Sequence, residues 1–128
     1  MRQKVYLCGG INKLSDADAK DWREAAKAAL GDVYDLVDPM RNDYRGREME
    51  PGVTQLIIEG DKNDICGCDI ILVNANKPSW GTGMEIFYSK SLGKRVIIVC
   101  ADDKPSPWLI GHADQLVKTF QSAFELLK

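Results

Sequence analysis

Short apolar runs alternate with helical patterns along the whole chain. The run "KVYL" at 4–7 predicts a first strand, and fully apolar runs at 69–74 and 95–100 predict two more. Runs at 33–37 and 115–118 predict the remaining two strands, the last of them weak. Strands that are apolar on both faces are typical of a parallel sheet with helices on each side. The pattern therefore predicts an open, doubly wound α/β domain.

Helical periodicity fills the stretches between these strands. The first helix is predicted from a cap at Ser15 to a stop at Gly31, because apolar residues recur between them every three or four positions. A polar loop over 40–52 precedes the second helix, and its length favours a binding loop or lid. The first apolar stripe is Trp22, Ala25, Ala26, Ala29 and Leu30, and the later helices are predicted at 53–65, from about Thr82 to Gly93, and at 120–128.

The regular alternation of strands and helices predicts a single domain over 1–128. We expect a five-stranded parallel sheet in the flavodoxin-like order 2-1-3-4-5, with helices on both faces. Ligands of such sheets bind at the carboxyl ends of the strands, near the switch in strand order. The candidate segments therefore follow the strands: "CGGIN", "DPMRNDYR", "NANKPSWGTG" and "ADDKPSPW".

Composition narrows the partners without naming one. A formal charge of −2 and a pI near 5.4 give no electrostatic signature of a nucleic-acid binder. No apolar run approaches the roughly 18 residues of a membrane span, so we expect a cytoplasmic protein without a membrane partner. Cys8, Cys66, Cys68 and Cys100 lie in or beside apolar runs, and His112 is the single histidine. We expect neither a metal site nor a cofactor.

Glu85 stands where a helix is expected to begin, and two interpretations compete. Thr82 and Glu85 have the spacing of a capping box, in which each side chain accepts from the other's backbone N–H group. Glycines at 81 and 83 are unnecessary for a cap, because Gly83 weakens a helix and both allow close approach of the backbone to a ligand. The position after a strand favours chemistry.

A second acid lies on a helix face that is expected to pack on the sheet. Asp61 follows Val53 and Ile57 at intervals of four, whereas the alternative places it at the edge of the stripe, in solvent. Asp64 is interpreted as a solvated residue near the helix end. Two carboxyl groups near one strand-end cleft are typical of glycosidic bond cleavage, with one as the nucleophile. Tyr6 is a candidate donor to that nucleophile, although a buried strand tyrosine is more often part of the core.

Three segments resemble the nucleoside 2-deoxyribosyltransferase family: "KVYLCGGI", "IIEGDKNDICGCDIILVN" and "SWGTGMEIFYSKSLGKRVIIV". The most specific part is the G-x-G-x-E pattern that ends at Glu85, followed by Tyr88 and Gly93-Lys94. The resemblance implies a flavodoxin-like fold and cleavage of the N-glycosidic bond of deoxyribonucleosides or their 5′-monophosphates. It also implies a covalent deoxyribosyl–glutamate intermediate, which passes to another base or to water.

The same resemblance assigns roles to individual residues. Glu85 becomes the nucleophile, Tyr6 its hydrogen-bond donor and Asp61 the helix aspartate that faces the substrate. The expected substrate-binding residues are Cys8, Gly9, Asn12, Arg41, Asp43, Ser79, Gly81, Gly83, Ser106 and Trp108. Members of the family form dimers or higher oligomers, so Ser106 and Trp108 are expected to complete the site of a neighbouring copy.

The sequence departs from the family's pattern at two positions that bear on the choice of substrate. Ser79 stands where transferases of free nucleosides often carry an aspartate, and it resembles the deoxynucleotide N-hydrolase branch, in which serine helps to hold the 5′-phosphate. Asn12 stands where that branch has an arginine, and the loop "DPMRNDYRGRE" is a candidate replacement. Arg41, Arg45 and Arg47 are then phosphate ligands, or simply solvated. A catalytically silent nucleotide-binding or regulatory module on the same fold is the alternative function.

Overall fold

One parallel sheet forms the centre of the molecule, which a computed structural model describes for residues 2–128. Its strand order is β2-β1-β3-β4-β5 and all neighbouring pairs are parallel, so the predicted fold and order are confirmed. The register aligns Gly9 of β1 with Asn74 of β3, and Asn74 with Val99 of β4. The loops that follow these strands therefore leave from one edge. The strands are β1 Lys4–Gly9, β2 Asp35–Val37, β3 Ile70–Asn74, β4 Arg95–Val99 and β5 Gln115–Val117.

Helices cover both faces of the sheet. On one face, Val5 and Leu7 of β1 pack against residues of the second and last helices. On the other face, Tyr6 and Cys8 pack against the third and fourth helices, because successive side chains of a strand point to opposite faces. The helices are α1 Asp16–Ala19, α2 Asp21–Leu30, α3 Val53–Cys66, α4 Trp80–Ser91, α5 Pro107–His112 and α6 Phe120–Leu127.

Several predicted boundaries were wrong. The helix expected from Ser15 to Gly31 is divided at Lys20, so Ser15 caps only the short α1, through the N–H group of Asp18. Ala25, assigned to the buried stripe, is exposed. A short 3₁₀ turn, Pro39–Arg41, includes the start of the polar loop, and the short helix α5 was not predicted.

Arg23 is fully buried, with no exposed surface, where an apolar stripe was expected. Its Nη2 donates to the carbonyl oxygens of Leu7 at 3.3 Å and Gly9 at 3.0 Å, and its Nε faces Asp38 Oδ1 at 3.4 Å. Lys27 Nζ also pairs with Asp38, at 2.7 Å. The strand β2 ends opposite Tyr6, so the edge of β1 that faces β2 has no backbone donors from β2 beyond that residue. The Arg23 guanidinium supplies donors to this part of β1. Arg23 thus fixes the end of the strand from which the candidate site is built.

We expect Arg23→Met to lower the free energy of unfolding by about 3 kcal/mol, because it leaves buried carbonyl groups and part of Asp38 without a partner. Urea denaturation measures this change. Lys118→Met is the matched control, because its pair with Asp103 lies on the exposed surface and is expected to contribute nothing measurable. Equal stabilities of the two variants would contradict this assignment.

Candidate active site

Glu85 lies in the second turn of α4, and its carboxyl group does not cap the helix. The cap is Ser79, whose Oγ accepts from the N–H group of Thr82 at 3.4 Å. Thr82 lies inside the helix, with its own Oγ1 buried and unpartnered. The capping-box interpretation is therefore wrong, because the helix begins two residues earlier than expected. The carboxyl group of Glu85 is free to reach across to β1.

Two side chains of β1 donate to the two oxygens of Glu85. Tyr6 Oη donates to Oε1 at 2.7 Å, and Cys8 Sγ donates to Oε2 at 3.3 Å. Tyr6 and Cys8 are both fully buried and lie two residues apart, on the face of the sheet that α4 covers. Because alternate side chains of a strand point to the same face, both residues can donate to one carboxyl group. Cys8, expected to touch the substrate, instead contacts the candidate nucleophile.

Burial raises the pKa of four ionisable groups at this point: Glu85, Asp61, Tyr6 and Cys8. Burial and, after it, the nearby Asp61 carboxyl raise the pKa of Glu85 to about 8, whereas the bonds from Tyr6 and Cys8 oppose the shift. Burial also raises the pKa of Asp61. Burial, followed by the charge of Glu85, raises the pKa of Tyr6 and of Cys8, so both keep their protons and remain donors. The two carboxyl groups therefore form a pair that readily retains a proton.

A cavity of about 180 Å³ opens beside Glu85, at the carboxyl edge of the sheet. This volume suits a small molecule rather than a single ion. The residues that line it come from four segments: the loop after β1, the loop after β2, α3 and the start of α4. From the expected site the lining includes Gly9, Asn12, Arg41, Asp61, Ser79, Gly81 and Glu85.

Besides Cys8, four of the expected binding residues do not line the cavity. Asp43 does not line the cavity, and its Oδ2 accepts from Arg45 Nη2 at 2.8 Å. Gly83, Ser106 and Trp108 line a separate groove between α4 and α5. Ser79 and Thr82 line both this groove and the cavity, so the two are adjacent.

The glycines differ in what they allow. A Cβ on Gly9 would lie 2.7 Å from the Trp22 ring, so a packing constraint within the fold requires glycine there. A Cβ on Gly81 or Gly83 would meet nothing within 4 Å. The fold therefore does not itself require glycine at these two positions, and Gly81 leaves open space at the cavity wall.

The sequence interpretation missed Asp64. Its carboxylate is only 16% exposed and receives Arg41 through two hydrogen bonds of 2.8 Å, so it is not a solvated helix-end residue. Asp64 lines the cavity, as does Arg45, whereas Arg47 pairs with Glu50 and does not. The available signal was the spacing of three between Asp61 and Asp64, which places both on one side of α3.

Neither a metal cluster nor a membrane helix is found in the part of the chain that the structure describes. Across residues 2–128, no group of three or more histidine, cysteine, aspartate or glutamate side chains is arranged to hold a metal ion. Within the same residues, no helix combines the length and apolarity needed to cross a bilayer.

The fold and the site define an α/β domain of flavodoxin-like topology, with a half-buried carboxyl pair at the carboxyl edge of its sheet. The chain belongs to the nucleoside 2-deoxyribosyltransferase family, whose sequence model matches residues 5–126. Membership confirms the resemblance seen in the sequence motifs. No curated protein sequence matches the chain.

Three solved structures share the fold. A 2-deoxyribosyltransferase from Bacillus psychrosaccharolyticus superposes with a TM-score of 0.73 at 20% identity, over 94% of this chain and 90% of its own. A conserved protein from Enterococcus faecalis V583 gives 0.79 at 15% identity, over 98% and 96%. The CMP N-glycosidase BcmB from Clostridium botulinum gives 0.63 at 15% identity, over 98% of both chains. Membership of the family supports nucleoside 2-deoxyribosyltransferase chemistry in general, and the three structures show the shared fold.

The raised pKa of Glu85 predicts how stability depends on pH. Between its ordinary value of 4.5 and about 8, the folded protein holds a proton that the unfolded chain releases. The free energy of unfolding contributed by this group is therefore fully present below the lower value and is lost as pH rises through the upper one. Glu85→Gln removes this titrating group. As the pH rises through this window, the free energy of unfolding of the variant should therefore fall less than that of the wild type.

Urea denaturation at the two ends of the window measures the difference. Glu59→Gln, an exposed substitution on α3, is the control and should keep the pH dependence of the wild type. Identical pH dependence in Glu85→Gln and the wild type would show that Glu85 is ionised normally.

Proposed function

We propose that this protein cleaves the N-glycosidic bond of a 2′-deoxyribonucleoside or its 5′-monophosphate, with Glu85 as the nucleophile. The observation that carries the proposal is the placement of the Glu85 carboxyl group. It lines a cavity at the strand ends, it is held by Tyr6 and Cys8, and it lies beside Asp61. Membership of the family supports the same general chemistry.

The reaction would proceed in two displacements. The ionised Glu85 attacks the anomeric carbon, the bond to the base breaks, and its electron pair goes to the base nitrogen. The sugar is then esterified to Glu85. In the second step another base or a water molecule attacks the same carbon and releases the carboxylate, which gives a new nucleoside or the free sugar.

The neighbouring side chains have separable parts in this scheme. Hydrogen bonds from Tyr6 and Cys8 favour the charged, nucleophilic form of Glu85 and fix the direction of its oxygens. When the proton of the carboxyl pair lies on Asp61, Glu85 is ionised and Asp61 can donate that proton to the departing base; when Asp61 is ionised, it would instead orient a sugar hydroxyl. The charge of Asp61 opposes ionisation of Glu85, so the two carboxyl groups readily retain one proton between them, which suits one base and one acid.

Incubation with each deoxynucleoside and deoxynucleotide, with and without a second base, followed by chromatography, tests the activity. A free base alone indicates a hydrolase, a new nucleoside indicates a transferase, and neither indicates a binding module. Glu85→Gln should lower turnover by orders of magnitude, because it keeps the shape and removes the nucleophile. Glu59→Gln should react like the wild type, and near wild-type turnover by Glu85→Gln would refute the mechanism.

We also propose that two or more copies of this chain associate through α4 and α5. Trp80, Met84 and Phe87 are exposed on one side of α4, at spacings of four and three, and Trp108 and Ile110 are exposed on α5. Exposed apolar surface of this extent is typical of an interaction site. The groove beside it, lined by Ser106 and Trp108, shares Ser79 and Thr82 with the cavity. A copy seated there would lie close to the substrate, as the family resemblance implies.

Light scattering after size exclusion should therefore give a mass of at least twice the 14.3 kDa chain. Phe87→Glu should shift the protein to a monomer and lower its activity, because it places a charge in an apolar interface. Val33→Glu is the control, because Val33 is exposed outside this surface and should leave the mass unchanged. A fully active monomeric wild type would contradict the proposal.

A further inference from the structure

Two arginines line the cavity, and both are already bound to carboxylates. Arg41 Nη1 and Nη2 each donate to an oxygen of Asp64 at 2.8 Å, which is the two-pronged geometry that guanidinium also uses for phosphate. Asp64 thus occupies the same donors that a phosphate group would need.

Arg45 is bound even more fully. Its Nη2 donates to Asp16 at 2.6 Å and to Asp43 at 2.8 Å, its Nε donates to Asp43 at 3.0 Å, and its Nη1 donates to the carbonyl oxygen of Leu14 at 3.0 Å. A phosphate at Arg45 would have to displace two carboxylates. Arg41, which has a single carboxylate partner, is therefore the more accessible cation of the two.

The remaining lining does not attract a phosphate. Carboxyl groups of Glu48, Asp61, Asp64 and Glu85 line the cavity together with the two arginines. A 5′-phosphate would bring further negative charge among them, whereas an uncharged nucleoside would bring none. In a partly enclosed site such like-charge contacts are costly, and they discriminate between ligands that otherwise share every group.

We propose that Asp64 selects the free deoxyribonucleoside over its 5′-monophosphate, by holding Arg41 and by adding its own negative charge to the cavity. This proposal rests on the function proposed above and narrows it to one substrate class. Asp64 acts through Arg41 and is therefore a positioning residue. Its removal should free the guanidinium and admit the phosphate.

The test compares kcat/KM for a deoxynucleoside that the wild type cleaves with that for its own 5′-monophosphate. We expect the wild type to favour the nucleoside by about tenfold or more, and Asp64→Asn to reduce this ratio by about tenfold. The double variant Arg41→Gln/Asp64→Asn should lose that gain for the monophosphate, because the freed guanidinium is what would bind it. A general structural defect would lower kcat/KM for both substrates by the same factor and leave their ratio unchanged.

Asp103→Asn is the matched control, because it breaks the exposed pair with Lys118 away from the cavity and should leave the ratio unchanged. Titration calorimetry of Glu85→Gln and Glu85→Gln/Asp64→Asn with the same two ligands separates this proposal from the proposed function. If the wild type cleaves nothing, the binding ratio still decides the selection. The proposal about Asp64 would be overturned by any of three results. These are a wild type that prefers the monophosphate, an unaltered ratio in Asp64→Asn, and binding of neither ligand.

Discussion

The carboxyl group of Glu85 is largely shielded from water and placed beside a second carboxyl group, and the site depends on how the fold tolerates this. Tyr6 and Cys8 each donate one hydrogen bond, and their own burial keeps them protonated. These two bonds favour the ionised glutamate, whereas burial and Asp61 favour the neutral one. The protonation of Glu85 is therefore decided by opposing effects of β1, α3 and α4, which only the parallel sheet brings together.

The carboxyl end of β1 is held in place by the buried side chain of Arg23 on α2. The two donors to Glu85 lie on one face of the strand, and the guanidinium of Arg23 binds the carbonyl groups of Leu7 and Gly9 that flank Cys8. The neighbouring strand β2 has ended at this point, so the backbone would otherwise lack donors there. A buried cation, itself paired with Asp38, takes over the role of a strand partner. The rigidity of the site and the stability of the fold thus share the same residues.

The positive charges that line the cavity are paired with carboxylates rather than left free for a ligand. Ser79, which resembles the residue of the deoxynucleotide branch, is engaged as the cap of α4, and Asn12 carries no charge. Arg41 and Arg45, the cations that could replace the missing arginine, are bound to carboxylates of α3, the loop after β2 and α1. The motif thus resembles one branch of the family, whereas the pairing of the two arginines is the basis for proposing the other substrate class, because a motif records residue types and not their partners.

The sequence by itself determined the five strands, their parallel order and the family, since apolar periodicity and turn residues act locally and the order follows from the handedness of the connections. It also indicated Glu85 and Asp61, because an acid on a helix face or after a strand departs from a local pattern, and Tyr6, as a candidate donor to the nucleophile that the family resemblance also assigned. Only the tertiary structure decided that Cys8 contacts Glu85, that Asp64 holds Arg41 and that Arg23 is buried. Each of these contacts joins residues that are far apart in the sequence. The smallest separation is 14 positions, between Arg23 and the carbonyl group of Gly9. The partner of a polar side chain at that separation is set by the packing of whole elements, which no local pattern encodes.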